Sequence, residues 1–333
     1  MRRGSLVEST HRVSAAVVNA AGELIAGTGA PDLVTYWRSS AKPFQALPLL
    51  QDGAADRFEL TDEELAIACA SHSSEPFHLA LVDRFLAKVG LRESDLACGP
   101  HVPLGPETSK EVVCNGTAMT PKWSNCSGKH TGMLTLAKHH GWPLAGYQRA
   151  GHPAQARILA EVSRWTGLAE NQVIQGIDGC TTVCFALPLR AMATSYARFG
   201  ASTDPEARRL WRAITEHPDL IAGTKRLCTD LMRLWPGELF AKVGAEGVYC
   251  AAIPSLKLGI AIKVADGDLR SVGMALIAIL KQVLAEAGEA TEVLARLETL
   301  ADYAEAVVET TRGEAVGTVK PQGQLEFFGL PIR

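Results

Sequence analysis

The chain has 333 residues, 47% of them hydrophobic and 21% charged, with a formal net charge of -3, a composition that supports a sizeable buried core. It excludes a nucleic-acid binder, since no Lys/Arg cluster supplies the basic face that phosphates require, and the apolar segments are too interrupted to span a membrane. "MRRGSLVESTHRV" lacks the apolar stretch of a secretory signal, so a cytoplasmic location is expected, with the eight cysteines reduced.

Residues 11–29 read as a hairpin turning at 19–22. A strand at 33–37 runs straight into a helix over 38–50, where Pro43 is tolerated only in the first turn, so the helix starts near Ser39 or Ser40. Thr61 and Glu64 form a capping box for a helix ending near Ser71, and 76–90 is an amphipathic helix closed by Gly90. A polar Pro/Gly-rich stretch (99–122) leads to helices over 128–141 and 153–167. Further helices fall within 184–200, over 204–218 with Asp204 as cap, and over 224–237. Residues 239–266 change period and predict consecutive antiparallel strands, followed by an apolar helix at 271–288. This order predicts a single α+β domain over 1–333. Its antiparallel sheet comes from about 10–37 and 239–266 plus the C-terminal segment, against a helical middle at about 38–237. No dinucleotide or phosphate-loop fingerprint is present.

Chemistry-bearing residues gather in a few places. Ser39 and Lys42, three apart, share a helical face. A serine hydroxyl becomes a nucleophile when a base takes its proton. A lysine serves as that base when burial, a neighbouring cation or a helix N-terminus disfavours its charge. Taken alone, the pair also reads as a capping serine and a solvated lysine. "AKVGAEG" (241–247) sets Lys242 on a strand entering a hairpin whose glycines permit close approach; its plain reading is a glycine turn. "CASHSSEPFH" (69–78) crowds Ser71, His72, Ser73 and Ser74 at a helix end. "WSNCSGKHTGM" (123–133) puts Cys126 and Lys129 three apart at a helix start, and Cys180 of "GIDGCTT" offers a second thiolate. Without paired Cys-x-x-Cys, and with a lysine that must be neutral to bind, spacing alone makes a weak zinc site. Asp178-Gly179 forms a turn whose carboxylate can instead bind a ligand amine.

"WRSSAKPFQALPL", "ACASHSSEPFH", "CGPHVP", "NCSGKHTGML", "DGC" and "AKVGAEGV" occur in an order and at spacings that resemble the rhizobial-type, class 3 L-asparaginases (asparaginase II family), from about residue 10 to about 330. The resemblance implies a serine β-lactamase/glutaminase-like fold and a homodimer that hydrolyses L-asparagine to L-aspartate and ammonia with two Ser–Lys tandems. Ser39 with Lys42 matches the first tandem; Ser71 with Lys242 matches the second, Lys263 being the alternative lysine. It implies one zinc per subunit on Cys126, Lys129 and Cys180, with Arg38, His130 and Asp178 close to the substrate. Two stretches depart from the family pattern. "TTVC" follows Cys180 where a Gly or Ser is expected, and "SHSSE" replaces Ser-His-Asn-Gly-Glu, which bears on substrate preference. Glutamine or another ω-amide, a β-lactam, and a non-catalytic amide-binding role are the other readings.

Overall fold

Asn19 closes the first hairpin. Its Oδ1 accepts the backbone N–H groups of Ala21 and Glu23, both at 3.0 Å, and Gly22 takes a φ of 89° that a side chain would resist. The strands so joined, Val13–Asn19 and Leu24–Thr28, belong to a six-stranded sheet. The structure, a computed structural model, describes residues 1–288 and 291–332, the side chains of 291–293 excepted. The chain divides into two compact units, Met1–Thr35 with Pro188–Ala201 and Ala241–Arg333, and Tyr36–Leu187 with Ser202–Phe240.

In the first unit the sheet runs Glu326–Phe327, Leu24–Thr28, Val13–Asn19, Leu258–Val264, Val248–Ile253, Phe240–Gly244. Leu258–Val264 pairs antiparallel with Val13–Asn19 in the register Ile260↔Val17. Both chain ends therefore build one antiparallel sheet, as the α+β reading expected. At the tip of the hairpin joining Phe240–Gly244 to Val248–Ile253, Glu246 and Gly247 both have positive φ, 59° and 66°. The helices Leu189–Ala201 and Leu269–Glu286 pack on the sheet. Gly259 is required there, since a Cβ would lie 1.9 Å from the Ala193 carbonyl oxygen. Residues 188–201, which chain order put in the helical middle, thus belong to the first unit.

The second unit is helical. Its helices include Lys42–Gln51, Asp62–Ala68, Ser127–His140, Pro153–Thr166 and Pro205–Glu216, which pack among themselves. The capping box is formed in full: Thr61 Oγ1 accepts from Glu64 N (3.3 Å), and Glu64 Oε2 accepts from Thr61 N (2.9 Å). Gly141 and Gly167 close their helices in the left-handed region. The helix expected to end near Ser71 stops at Ala68, and two elements were not anticipated: a helix within the polar stretch, Pro106–Cys114, and a hairpin of Ile174–Ile177 with Val183–Pro188. Asp204 sits at the N-cap position but makes no capping bond. Among the described residues no helix is long and apolar enough to cross a membrane.

Candidate active site

The segment carrying Ser39 is tied to the hairpin carrying Asp178 and Cys180, because Trp37 N donates to Phe185 O at 2.8 Å. Arg38 then takes φ 53° and opens a short 3-10 turn (Arg38–Ala41) that passes into the helix Lys42–Gln51. Trp37 stacks on Phe44 with centroids 4.9 Å apart, which fixes the turn from the apolar side. Lys42 is 1% exposed. Its Nζ donates to Ser71 Oγ at 2.9 Å and to the Ala70 carbonyl, so the lysine that shares a helical face with Ser39 bonds to a different loop. Ser39 is half-buried one turn before the lysine.

The loop after Ala68 is held by main-chain bonds, Ser71 N to Ile221 O (2.9 Å) and His72 N to Asn125 O (3.2 Å). His72 is fully buried. Its Nδ1 accepts from Ser74 N (3.2 Å), so Nε2 carries the proton and donates to Ser127 Oγ (2.9 Å). His78 stacks on it at 5.1 Å and donates Nε2–H to Asp219 O (2.9 Å). Burial lowers both imidazoles, His72 well below the usual range and His78 to about 4. Both rings are therefore neutral parts of the scaffold.

Helix Ser127–His140 reaches this loop because Gly128 carries no side chain: a Cβ there would lie 2.2 Å from the Ile67 carbonyl oxygen. The approach brings Cys126, Lys129 and Cys180 together. Lys129 Nζ donates to Cys180 Sγ at 3.0 Å, and all three are buried. The interaction with Cys126, whose Sγ donates to Asn125 Oδ1 at 2.9 Å, helped against burial by the Lys129 charge, lowers Cys180 to about 5. The same interaction between the two cysteines, together with burial, pushes Cys126 up to about 12. Burial works against the Lys129 charge, but the two sulfurs outweigh it and raise its pKa. Without metal the trio is thus an ammonium, a thiolate and a thiol.

Asp178 accepts from Gly179 N (2.7 Å) and pairs with Arg38, whose Nη2 lies 2.9 Å from Oδ1. Burial opposes its ionisation, yet Lys129 and Arg38 outweigh that and hold it below the usual carboxylate range. His130 is fully buried and neutral, lowered to about 3 by burial and then by Lys129. Its Nδ1 lies 2.6 Å from Tyr147 Oη.

As a metal site the trio offers two sulfurs and one amine converging on a point, a donor set that suits zinc once Lys129 and Cys126 lose their protons. Among the described residues no three of His, Cys, Asp and Glu come together to hold an ion, so the set is complete only with the lysine.

The strand lysines lie in the first unit. Lys242 is fully buried on Phe240–Gly244, whereas Lys263 on Leu258–Val264 is half-buried, its pKa lowered by burial. Sequence reasoning missed Tyr147 and gave His101 no role. His101 accepts Asn125 N at Nε2 (2.9 Å) and so steadies the residue before Cys126. A lone Tyr in a polar connection gives no periodicity or spacing to detect.

Residues 1–321 match the family model of L-asparaginase II. No curated protein matches in sequence. Among solved structures, the octameric penicillin-binding protein homologue from Pyrococcus abyssi aligns at TM-score 0.42 and 14% identity, covering 95% of this chain and 84% of that one. A putative β-lactamase from Bacteroides dorei aligns at TM-score 0.40 and 11% identity over 76% and 84%. A β-lactamase from Mycobacterium bovis aligns at TM-score 0.39 and 13% identity over 88% and 95%. Likenesses this loose add nothing to the chemistry read from the residues.

Proposed function

We propose, for a chain that belongs to the L-asparaginase II family and is thereby an amidohydrolase, that the amide it cleaves is the side chain of L-asparagine, giving L-aspartate and ammonia. The observation that carries the reading is the gathering of the Lys42–Ser71 bond, the Arg38–Asp178 pair and the Lys129–Cys180 pair in one region of the second unit. A compact amino acid carries an ammonium, a carboxylate and an amide, and this region offers a carboxylate, a guanidinium and an activated hydroxyl. Asp178 would accept the α-ammonium and Arg38 the α-carboxylate.

Ser39 Oγ attacks the amide carbon and passes its proton to Lys42, acting as an uncharged amine. The tetrahedral oxyanion would be held by main-chain N–H groups of the turn that carries Ser39. Collapse expels ammonia, which takes its proton from Lys42 by way of Ser71, and leaves an acyl ester on Ser39. Water gives a proton back along the same relay to Lys42 and attacks the ester; collapse breaks the bond to Ser39, Lys42 returns that proton to Ser39 Oγ, and L-aspartate leaves. Zinc is proposed on Cys126, Lys129 and Cys180, where it would supply a fixed positive charge that orients the substrate's polar groups or the loops around them.

A second reading, with Ser71 as nucleophile, is favoured by the direct 2.9 Å bond from Lys42. Acid-quenched protein separates the two by the peptide that carries the acyl mass. Ammonia release from L-asparagine, L-glutamine and a cephalosporin tests the substrate. Turnover of asparagine that drops ~10³-fold or more in Ser39→Ala supports the proposal. Full activity in Ser39→Ala removes Ser39 from the mechanism, and cephalosporin hydrolysis without ammonia release removes the substrate.

A further inference from the structure

Tyr147 belongs to none of the motifs above. It lies between the helices Ser127–His140 and Pro153–Thr166 and is 1% exposed. Its main-chain carbonyl accepts Gln155 Nε2 at 2.9 Å, which anchors the residue. Its hydroxyl has one proton to give and two lone pairs to accept with. The Ala97 N–H, 3.0 Å away, can only donate, so it occupies a lone pair. The other neighbour is His130 Nδ1 at 2.6 Å, with the rings edge-on at 83°.

Two proton assignments are then open. If Nδ1 carries the ring proton, Oη accepts twice and the tyrosine proton has no acceptor among the described residues. A buried donor left in that state has given up its hydrogen bond to water for nothing in return. If Nδ1 is bare, Oη donates to it and all three groups are satisfied. The second assignment wins, and it puts the ring proton on Nε2. That nitrogen is buried and makes no hydrogen bond among the described residues. His130 follows Lys129 in sequence, and its titratable neighbours are Lys129, Cys126, Lys42 and Asp178, the groups of the candidate site.

We infer that Tyr147 is a positioning residue: its hydroxyl holds His130 in the Nε2–H form, so that the ring presents a neutral donor to an oxygen of the bound substrate. The inference rests on the amide-hydrolysis reading above for what is bound, but not for the tautomer. Ala97 adds a mechanical link, since its carbonyl accepts Thr181 Oγ1 at 3.0 Å while its N–H fixes Tyr147. One residue thus ties the imidazole to the turn that carries Asp178 and Cys180. A donor already formed before substrate arrives acts mainly on ground-state binding, so its loss falls on KM rather than kcat.

The test has a spectroscopic arm and a kinetic arm. Protein labelled with ¹⁵N at histidine gives the protonation of each ring nitrogen by long-range ¹H–¹⁵N correlation, with His130→Gln assigning the signals. A protonated Nε2 and a bare Nδ1 are expected in wild type, and a shift toward Nδ1–H in Tyr147→Phe. Nδ1–H in wild type overturns the inference, and that spectrum decides even if Tyr147→Phe does not fold. In ammonia release from L-asparagine, Tyr147→Phe should raise KM ~10-fold with kcat within about threefold. His130→Gln, which keeps an N–H donor and an acceptor, should retain more kcat/KM than His130→Leu. Equal losses in His130→Gln and His130→Leu, or an unchanged KM in Tyr147→Phe, overturn it. Wild-type protein that releases no ammonia refutes the proposed substrate while the nitrogen spectrum still decides the role of Tyr147.

Discussion

Gly128→Ala perturbs the point on which the site's assembly depends. The new Cβ would sit 2.2 Å from the Ile67 carbonyl oxygen, 2.8 Å from its carbon and 2.9 Å from Ile67 Cγ1. An ordinary contact needs about 1 Å more room. The obstacle is backbone: that carbonyl accepts Ala70 N at 3.1 Å, one residue before Ser71. It cannot swing aside as a side-chain tip would, so the helices must part. Overpacking of this kind costs about 1–3 kcal/mol, and an alanine gain of up to ~1 kcal/mol in helix propensity offsets part of it. A net loss of ~1–2 kcal/mol is therefore expected. Activity should suffer more, because a ~1 Å displacement of a reacting group can cost ~10²-fold.

Gly132→Ala is the control. It lies one turn further along the same helix, where a Cβ would meet only Leu49 Cδ1 at 3.2 Å and Ala68 Cβ at 3.3 Å. Side chains yield a few tenths of an ångström cheaply, so this variant should stay within ~1 kcal/mol of wild type. Urea unfolding and ammonia release measure both. If Gly128→Ala proves as stable and active as Gly132→Ala, close helix approach is not what assembles the loop.

Three further outcomes follow from the same geometry. His72 and His78 are neutral in the fold, with pKa values depressed below the unfolded ~6.5. Above that pH neither state binds protons at these rings. As the pH falls toward about 4 only the unfolded chain does, so stability drops by up to ~2.7 kcal/mol per pH unit for the pair; a urea midpoint that stays flat from pH 7 to 5 would contradict their burial as neutral rings. Asp178→Asn removes the carboxylate that pairs with Arg38 and faces the Lys129 charge. Calorimetry should show a loss of about 1–3 kcal/mol, and kcat/KM a fall of ~10²-fold, both absent if the pair is incidental. Zinc loading should release ~2 protons, from Lys129 and Cys126, since Cys180 is already a thiolate; Cys180→Ser should lose the metal by elemental analysis, and a pH-independent affinity would contradict the ligand set.

Local signals carried much of the fold. Thr61 and Glu64 cap one another within a single turn, Pro43 sits where a helix tolerates it, and Gly141 stops its helix, all without help from distant residues. The elements that escaped have weak local codes. Pro106–Cys114 is polar on most of its surface, and Ile174–Ile177 is a four-residue strand with largely exposed side chains, so neither shows a clean apolar stripe. In the site, the three-residue spacing of Ser39 and Lys42 was visible, but the lysine's actual partner was not. Ser71 reaches Lys42 through tertiary packing that no local rule encodes. Tyr147 was invisible for the same reason: its meaning comes from Ala97 and His130, 50 residues before and 17 residues before it.

The two departures from the family pattern acquire a physical cause. Ser74 stands where Ser-His-Asn-Gly-Glu has its glycine, and its φ is 56°; Thr181 stands where Gly or Ser is expected, and its φ is 78°. A left-handed backbone costs a residue with a Cβ about 1–2 kcal/mol, and more for a β-branched one. Each side chain recovers about 1 kcal/mol by donating to a main-chain carbonyl, Ser74 Oγ to Trp123 O at 2.9 Å and Thr181 Oγ1 to Ala97 O at 3.0 Å. The first bond ties the Ser71 loop to the segment entering Cys126. The second ties the Asp178–Cys180 turn to the residue that fixes Tyr147. A glycine at either position would relax the backbone and remove the tether. These substitutions therefore exchange local strain for a firmer hold on the loops around the reacting groups, and any effect on substrate preference would arise from where those loops are held.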